Sequence, residues 1–139
     1  MIIKGQISLE YIIVVGFVTF AVIVLLGISL FYTHSVQDKI KVNQLSTFAE
    51  KIVSSAESVY YAGEPSKITI TAFLPSGVQD FDIVSDNLVF VFITSSGTST
   101  IAFKSKVPLD DVFTLSSLNE GTRRLKITAG SNKVYISDG

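Results

Sequence analysis

Few side chains in this sequence could do chemistry, and their spacing rules out most of the reactions they could serve. The 139 residues include no cysteine and one histidine, His34. Thiol nucleophiles, Cys-based metal sites and a second histidine for a metal set or a nucleophile dyad are therefore missing. Carboxylates cluster in Asp80-Phe-Asp-Ile-Val-Ser-Asp-Asn87 and at Asp110-Asp111. Calcium takes such oxygens, but the run lacks the glycine and the terminal glutamate of an EF-hand loop, so a solvated acidic loop is expected. Arg123 and Arg124 fall on an expected strand, where alternation sends neighbours to opposite faces, so they make no phosphate clamp. No GxGxxG or P-loop spacing occurs. None of Asn43, Asn87, Asn119 and Asn132 opens an Asn-x-Ser/Thr sequon. The net charge of −1 gives no basic field for nucleic acid. These residues point to no enzyme, no metal and no cofactor. One acidic residue stands out for its position: Glu10, two residues ahead of an uninterrupted apolar run.

That run extends from Ile12 to Phe31 without a charge, and fifteen of its twenty residues are Val, Ile, Leu or Phe. Twenty helical residues rise about 30 Å, the thickness of a bilayer's hydrocarbon. Fifteen such side chains favour insertion by roughly 4.5–9 kcal/mol. A transmembrane helix at about 12–31 is therefore expected. Lys4 precedes the span, whereas Asp38, Lys39 and Lys41 follow it with mixed sign. The positive-inside rule thus only slightly favours a cytoplasmic amino terminus. A secretory signal would carry a purely basic head, a shorter apolar centre and a small-x-small site after it. Gly27-Ile28-Ser29 is such a triplet, so an ordinary secreted domain cleaved after Ser29 stays open as an alternative.

The residues ahead of the run read Lys4-Gly5-Gln6-Ile7-Ser8-Leu9-Glu10-Tyr11. This pattern, Gln, Ser and Glu at alternate positions directly before a span, resembles the class III signal peptide of archaeal type IV pilin-like proteins. The resemblance implies a leader at 1–5 removed by a prepilin peptidase at the Gly5–Gln6 bond, with Lys4, Gly5, Gln6 and Ser8 read by that enzyme. It places Glu10 fifth in the mature chain, where type IV pilins carry a glutamate that meets the terminal amine of a neighbouring subunit. Physical chemistry agrees with that role, since a carboxylate at the membrane edge is costly unless paired. The motif and the apolar run carry the resemblance; beyond Phe31 the chain is similar to pilins only in layout.

Past the span the helical pattern continues. Val42, Leu45, Phe48, Ala49, Ile52, Val53, Ala56, Val59 and Tyr60 fall within an arc of roughly 140°, while the polar residues among them, Lys51, Ser54 and Ser55 included, fall outside it. With no Gly or Pro from Ile28 to Ala62, one helix of about fifty residues is expected, closed by Gly63 with Pro65 beyond. Val36 and Ile40 lie away from the stripe, where the helix leaves the bilayer. They are candidates either for lipid headgroups or for neighbouring helices in a filament core.

After Pro65 the signals change to short strands at Lys67–Leu74, Leu88–Thr94, Thr98–Lys104, Val112–Leu115, Arg123–Thr128 and Lys133–Ser137. Turn residues at 75–77, 95–97, 119–121 and 130–132 separate them. The expectation is an α+β, type IV pilin-like fold: a long helix over 6–62 whose upper stripe packs on one antiparallel sheet in a β-rich head over 63–139. The resemblance implies a structural subunit of a surface filament for adhesion or surface interaction, self-associating with other pilins. Its further partners would be the peptidase, the pilus assembly machinery and, before assembly, the membrane. The chain would be a single-pass membrane protein with its head outside the cell. A pilin-like, membrane-anchored ligand-binding subunit, using its acidic loops, is the other reading.

Overall fold

A computed structural model describes residues 3–110 and 118–139, with residues 3–7 described by backbone alone. It is an α+β arrangement of one long amino-terminal helix followed by six strands. Helix α1 runs from Ile3 to Ala62, sixty residues. It ends where Gly63 adopts φ +75°, a left-handed conformation that only glycine takes without strain, and Gly63 N–H donates back to Val59 and Tyr60 carbonyls. The chain divides into two compact units, Met1–Gln37 and Asp38–Gly139.

The first unit is helix alone. Its most apolar 18-residue window has a mean hydropathy of 2.9 and none of it is buried. Thr19 donates its hydroxyl to the Val15 carbonyl at 2.8 Å, so this polar group is satisfied inside the helix and needs no water. By length and composition this helix can cross a membrane.

In the second unit the expected stripe is the buried one. Leu45, Phe48, Ala49, Ile52, Ala56 and Val59 are buried, and Val42, Val53 and Tyr60 pack partly against the core. Ser55 departs from the expectation: it is buried beside them. It lies one residue before Ala56, about 20° beyond the edge of the apolar arc, and is small enough to be enclosed there.

The strands are β1 (Lys67–Leu74), β2 (Val78–Val84), β3 (Asn87–Thr94), β4 (Gly97–Lys104), β5 (Gly121–Ala129) and β6 (Val134–Asp138). They form two antiparallel sheets of three, ordered β1-β5-β6 and β2-β3-β4, not the single sheet expected. The cause is that β1 pairs with β5, Lys67 opposite Thr128 and Leu74 opposite Gly121, and leaves β2, β3 and β4 as a separate meander. Both sheets and the helix contribute to one core, centred on Phe90. Its ring contacts Phe48 edge-on at 6.0 Å, Phe103 edge-on at 5.9 Å and Phe81 in a tilted arrangement at 4.6 Å.

A second correction concerns residues 80–87. Asp80 and Asp82 are not in a loop but on β2, whose Phe81 and Ile83 are buried. Ser85 and Asp86 supply the two positive φ angles, 50° and 63°, that a tight two-residue hairpin requires. The Asn87 side chain donates to the Val84 and Ser85 carbonyls across it, both at 3.1 Å. The strand expected at Val112–Leu115 lies outside the described residues.

Three of the four sheet edges, those of β1, β6 and β2, are interrupted. Lys51 Nζ donates to the Thr71 carbonyl on the open side of β1 at 2.6 Å. At the start of β6, Val134 accepts from the Asp110 amide and donates to the Pro108 carbonyl, both 2.9 Å, so that segment blocks the edge there. On β2 the register shifts between Val78 and Asp80, and two aspartates follow.

Asp38 anchors the β3–β4 turn to the helix. Its carboxylate accepts the Ser95 amide, at 3.2 and 3.1 Å to its two oxygens, and the Ser95 hydroxyl. Asp38→Ala removes the acceptor from both donors, the Ser95 amide and the Ser95 hydroxyl. The Ser95 amide is then expected to exchange with deuterium faster, by about 1 kcal/mol of local stability. Exchange at Phe90 in the core should stay unchanged, which separates a local release from unfolding.

Candidate processing and assembly segment

The residues singled out by the sequence fall on α1. Lys4, Gly5 and Gln6 lie on its backbone, with side chains outside those described. Ser8 and Glu10 are exposed. Beside Glu10, Leu9, Tyr11, Ile12 and Ile13 are all 61–71% exposed. Glu10 has no ion-pair partner among the described residues, whereas Glu57 in the second unit pairs with Lys106 at 3.8 Å. A carboxylate placed among exposed apolar side chains is stable in water or a headgroup layer. In hydrocarbon it needs a cation or a proton.

Val36 belongs to the first unit and is 52% exposed. Ile40 belongs to the second, is 50% exposed, and lines an open groove of about 770 Å³ along the helix flank with Phe48, Lys51, Thr71 and Phe73. Neither side chain is used by the packing of its own unit. Val36→Asp or Ile40→Asp is therefore expected to leave the head's thermal unfolding within about 0.5 kcal/mol of the parent. If these positions face neighbouring helices, filament yield falls sharply in the same variants. Unchanged yield, measured on sheared filaments, assigns them to lipid headgroups instead.

Elsewhere the candidates stay apart. His34 is exposed, and among the described residues no three His, Cys, Asp or Glu side chains gather to hold a metal ion. Asp86 turns its carboxylate to the Leu109 amide at 3.1 Å. Asp80 and Asp82 each accept the amide of the following residue, at 2.9 and 2.8 Å. Arg123 is half-buried and Arg124 exposed, on opposite faces of β5, and Arg123 donates to the Asn119 carbonyl at 3.1 Å. Sequence reasoning missed Asp38 and Lys51 as structural contacts. Their partners lie 57 and 20 residues away, so no local pattern marks them. No protein-family model, no curated protein and no solved structure matches the chain.

Proposed function

We propose that the chain is the precursor of a structural subunit of an archaeal type IV pilus-like surface filament. In this reading it is clipped between Gly5 and Gln6, held in the membrane by residues 12–31, and assembled with other pilins through its long helix while the head faces outward. The observation that carries the reading is the Gln6-x-Ser8-x-Glu10 motif set directly before an apolar helix that nothing in its own unit covers. Such a helix needs a bilayer first and other helices afterwards, and the motif marks a cut that leaves it attached.

Support also comes from the division of labour along α1. Its second half is bound into the head's core by Leu45, Phe48, Ile52 and Ala56, whereas from Leu9 to Tyr32 every large apolar side chain is exposed. The deciding measurement is the amino-terminal sequence and intact mass of the mature protein taken from cells. A chain beginning at Gln6, or at its cyclised form, is the expected result. A chain beginning at Leu30 means a secreted domain cleaved after Ser29, and an intact Met1 means a plain membrane anchor; either removes the pilin reading.

A further inference from the structure

The two sheets of the head present outer faces of unlike charge, and strand register decides what lies on each. On β1-β5-β6 the outward positions alternate with buried Ile70, Leu125 and Ile127; among them are Lys67, Arg124 and Lys126, and no acidic residue. Tyr135 joins this face, 50% exposed, opposite Thr128. On β2-β3-β4 the outward positions include Asp80 opposite Val91 and Asp82 opposite Val89, with one cation, Lys104 opposite Asn87, at the far end of β4; the face is net acidic where the other is wholly basic. Ile93 extends the apolar line along β3 and is 45% exposed. The segregation is not a product of overall charge, because the chain carries only −1.

Each face is amphipathic, and the two match. The aliphatic stems of Lys126 and Arg124 and the Tyr135 ring can cover the β3 line, while the cationic heads reach carboxylates at its side. One molecule cannot join its own two faces, since the inner sides of both sheets are sealed into a single core. A basic face placed on its own copy would bring Lys67, Arg124 and Lys126 against the same three cations, which like-charge repulsion disfavours.

We infer that the basic outer face of β1-β5-β6 docks on the acidic, apolar outer face of β2-β3-β4 of a second copy of this chain. The contact is heterologous: each copy keeps one face of each kind free, so joining two leaves sites for a third and the row stays open-ended. The inference rests on the reading of the chain as an assembling subunit, and it adds a side-by-side contact between heads to whatever the helices do. It also gives the head a reason to keep an apolar sheet face uncovered.

The absence of native cysteine permits a direct test on the full-length chain in membranes. Lys126→Cys and Asp82→Cys chains are expressed together and treated with a short bis-maleimide, which bridges gaps too wide for a disulfide. Cross-linked dimers are expected from the mixed pair and from neither variant alone. Lys67→Glu/Arg124→Glu added to the Lys126→Cys chain should abolish them, and Asp80→Lys in the partner should restore them. Equal cross-linking of either variant with itself overturns the inference, because it means a symmetric contact. So does a mixed pair that gives no product while filaments are visible in the same preparation; the filament reading then survives alone. Mixed dimers without filaments would instead uphold the head contact and remove the filament reading. Binding of the head to an anionic polysaccharide column, lost in the Arg124→Glu chain and accompanied by no cross-links, assigns the basic face to another partner and overturns it as well.

Discussion

Under the proposed function, a Glu10→Ala chain is expected to be clipped before Gln6 and to enter the membrane, but to lose its assembled filaments. The reasoning begins with what surrounds Glu10 in the monomer. Leu9, Tyr11, Ile12 and Ile13 beside it are exposed, and no described cation lies within ion-pair distance. A carboxylate held in hydrocarbon is unfavourable by about 2.5–3.5 kcal/mol at the bilayer centre and by less at its edge. Removing it therefore helps the single helix stay in the membrane. Under the proposed function, cleavage creates an amino group at Gln6, four residues from Glu10, and the two charges of neighbouring subunits cancel only on assembly. Alanine keeps insertion and discards that attraction. Glu10→Gln refines the result. If the partner is a charged amine, glutamine fails as alanine does; if Gln6 has cyclised and offers only a neutral N–H, glutamine still accepts it and filaments persist. Normal filaments from the alanine chain, with processing unchanged, would falsify the pairing altogether.

Phe90→Ala is expected to have the largest effect on the head. Phe90 is fully buried and its ring touches Phe48 on the helix, Phe81 on β2 and Phe103 on β4, so it links α1 to the second sheet. Truncating a ring at such a site leaves a cavity that three other aromatics cannot close together, at about 3–5 kcal/mol. For a unit of about 100 residues this lowers the melting temperature by roughly 12–40 °C. Thermal protease resistance of the full chain in detergent reads the change. Phe73→Ala is the control: it removes the same ring from a side chain 43% exposed on the outer side of β1, and a shift of only a few degrees is expected. Equal losses in both would mean that Phe90 is not the centre of the core.

What the sequence could and could not reveal follows from the range of the forces involved. The helix was legible because its pattern is local: apolar residues at a 3.6 period, no Gly or Pro for more than thirty positions, then Gly63. The Gln6-x-Ser8-x-Glu10 pattern is local too, and the fold adds only that Ser8 and Glu10 are exposed. Ser55 was misplaced because side-chain polarity was allowed to decide a boundary position that geometry encloses. Strand β2 was hidden behind its aspartates, although Asp80-Phe81-Asp82-Ile83 alternates with the period of a half-buried strand. Its turn, Ser85-Asp86, lacks the glycine that usually announces a hairpin. The split into two sheets was out of reach, because β1 finds β5 across more than forty residues and nothing near either strand records the pairing. The same holds for the head's charged faces: Lys67 and Lys126 meet on one side only through that long-range register.

The interrupted edges have a mechanical consequence. Protein units joined by strand addition share a ladder of main-chain hydrogen bonds, and separating them means tearing the ladder or unfolding a partner. Here Lys51 already occupies the Thr71 carbonyl, and residues 108–110 lie at the start of β6. Under the proposed function, copies of this chain would then meet at those edges through side-chain surfaces and helices. Joints of that kind slip apart one at a time, with each head still folded. Under tension a row of such units would shed or reabsorb intact members before any of them lost its sheet.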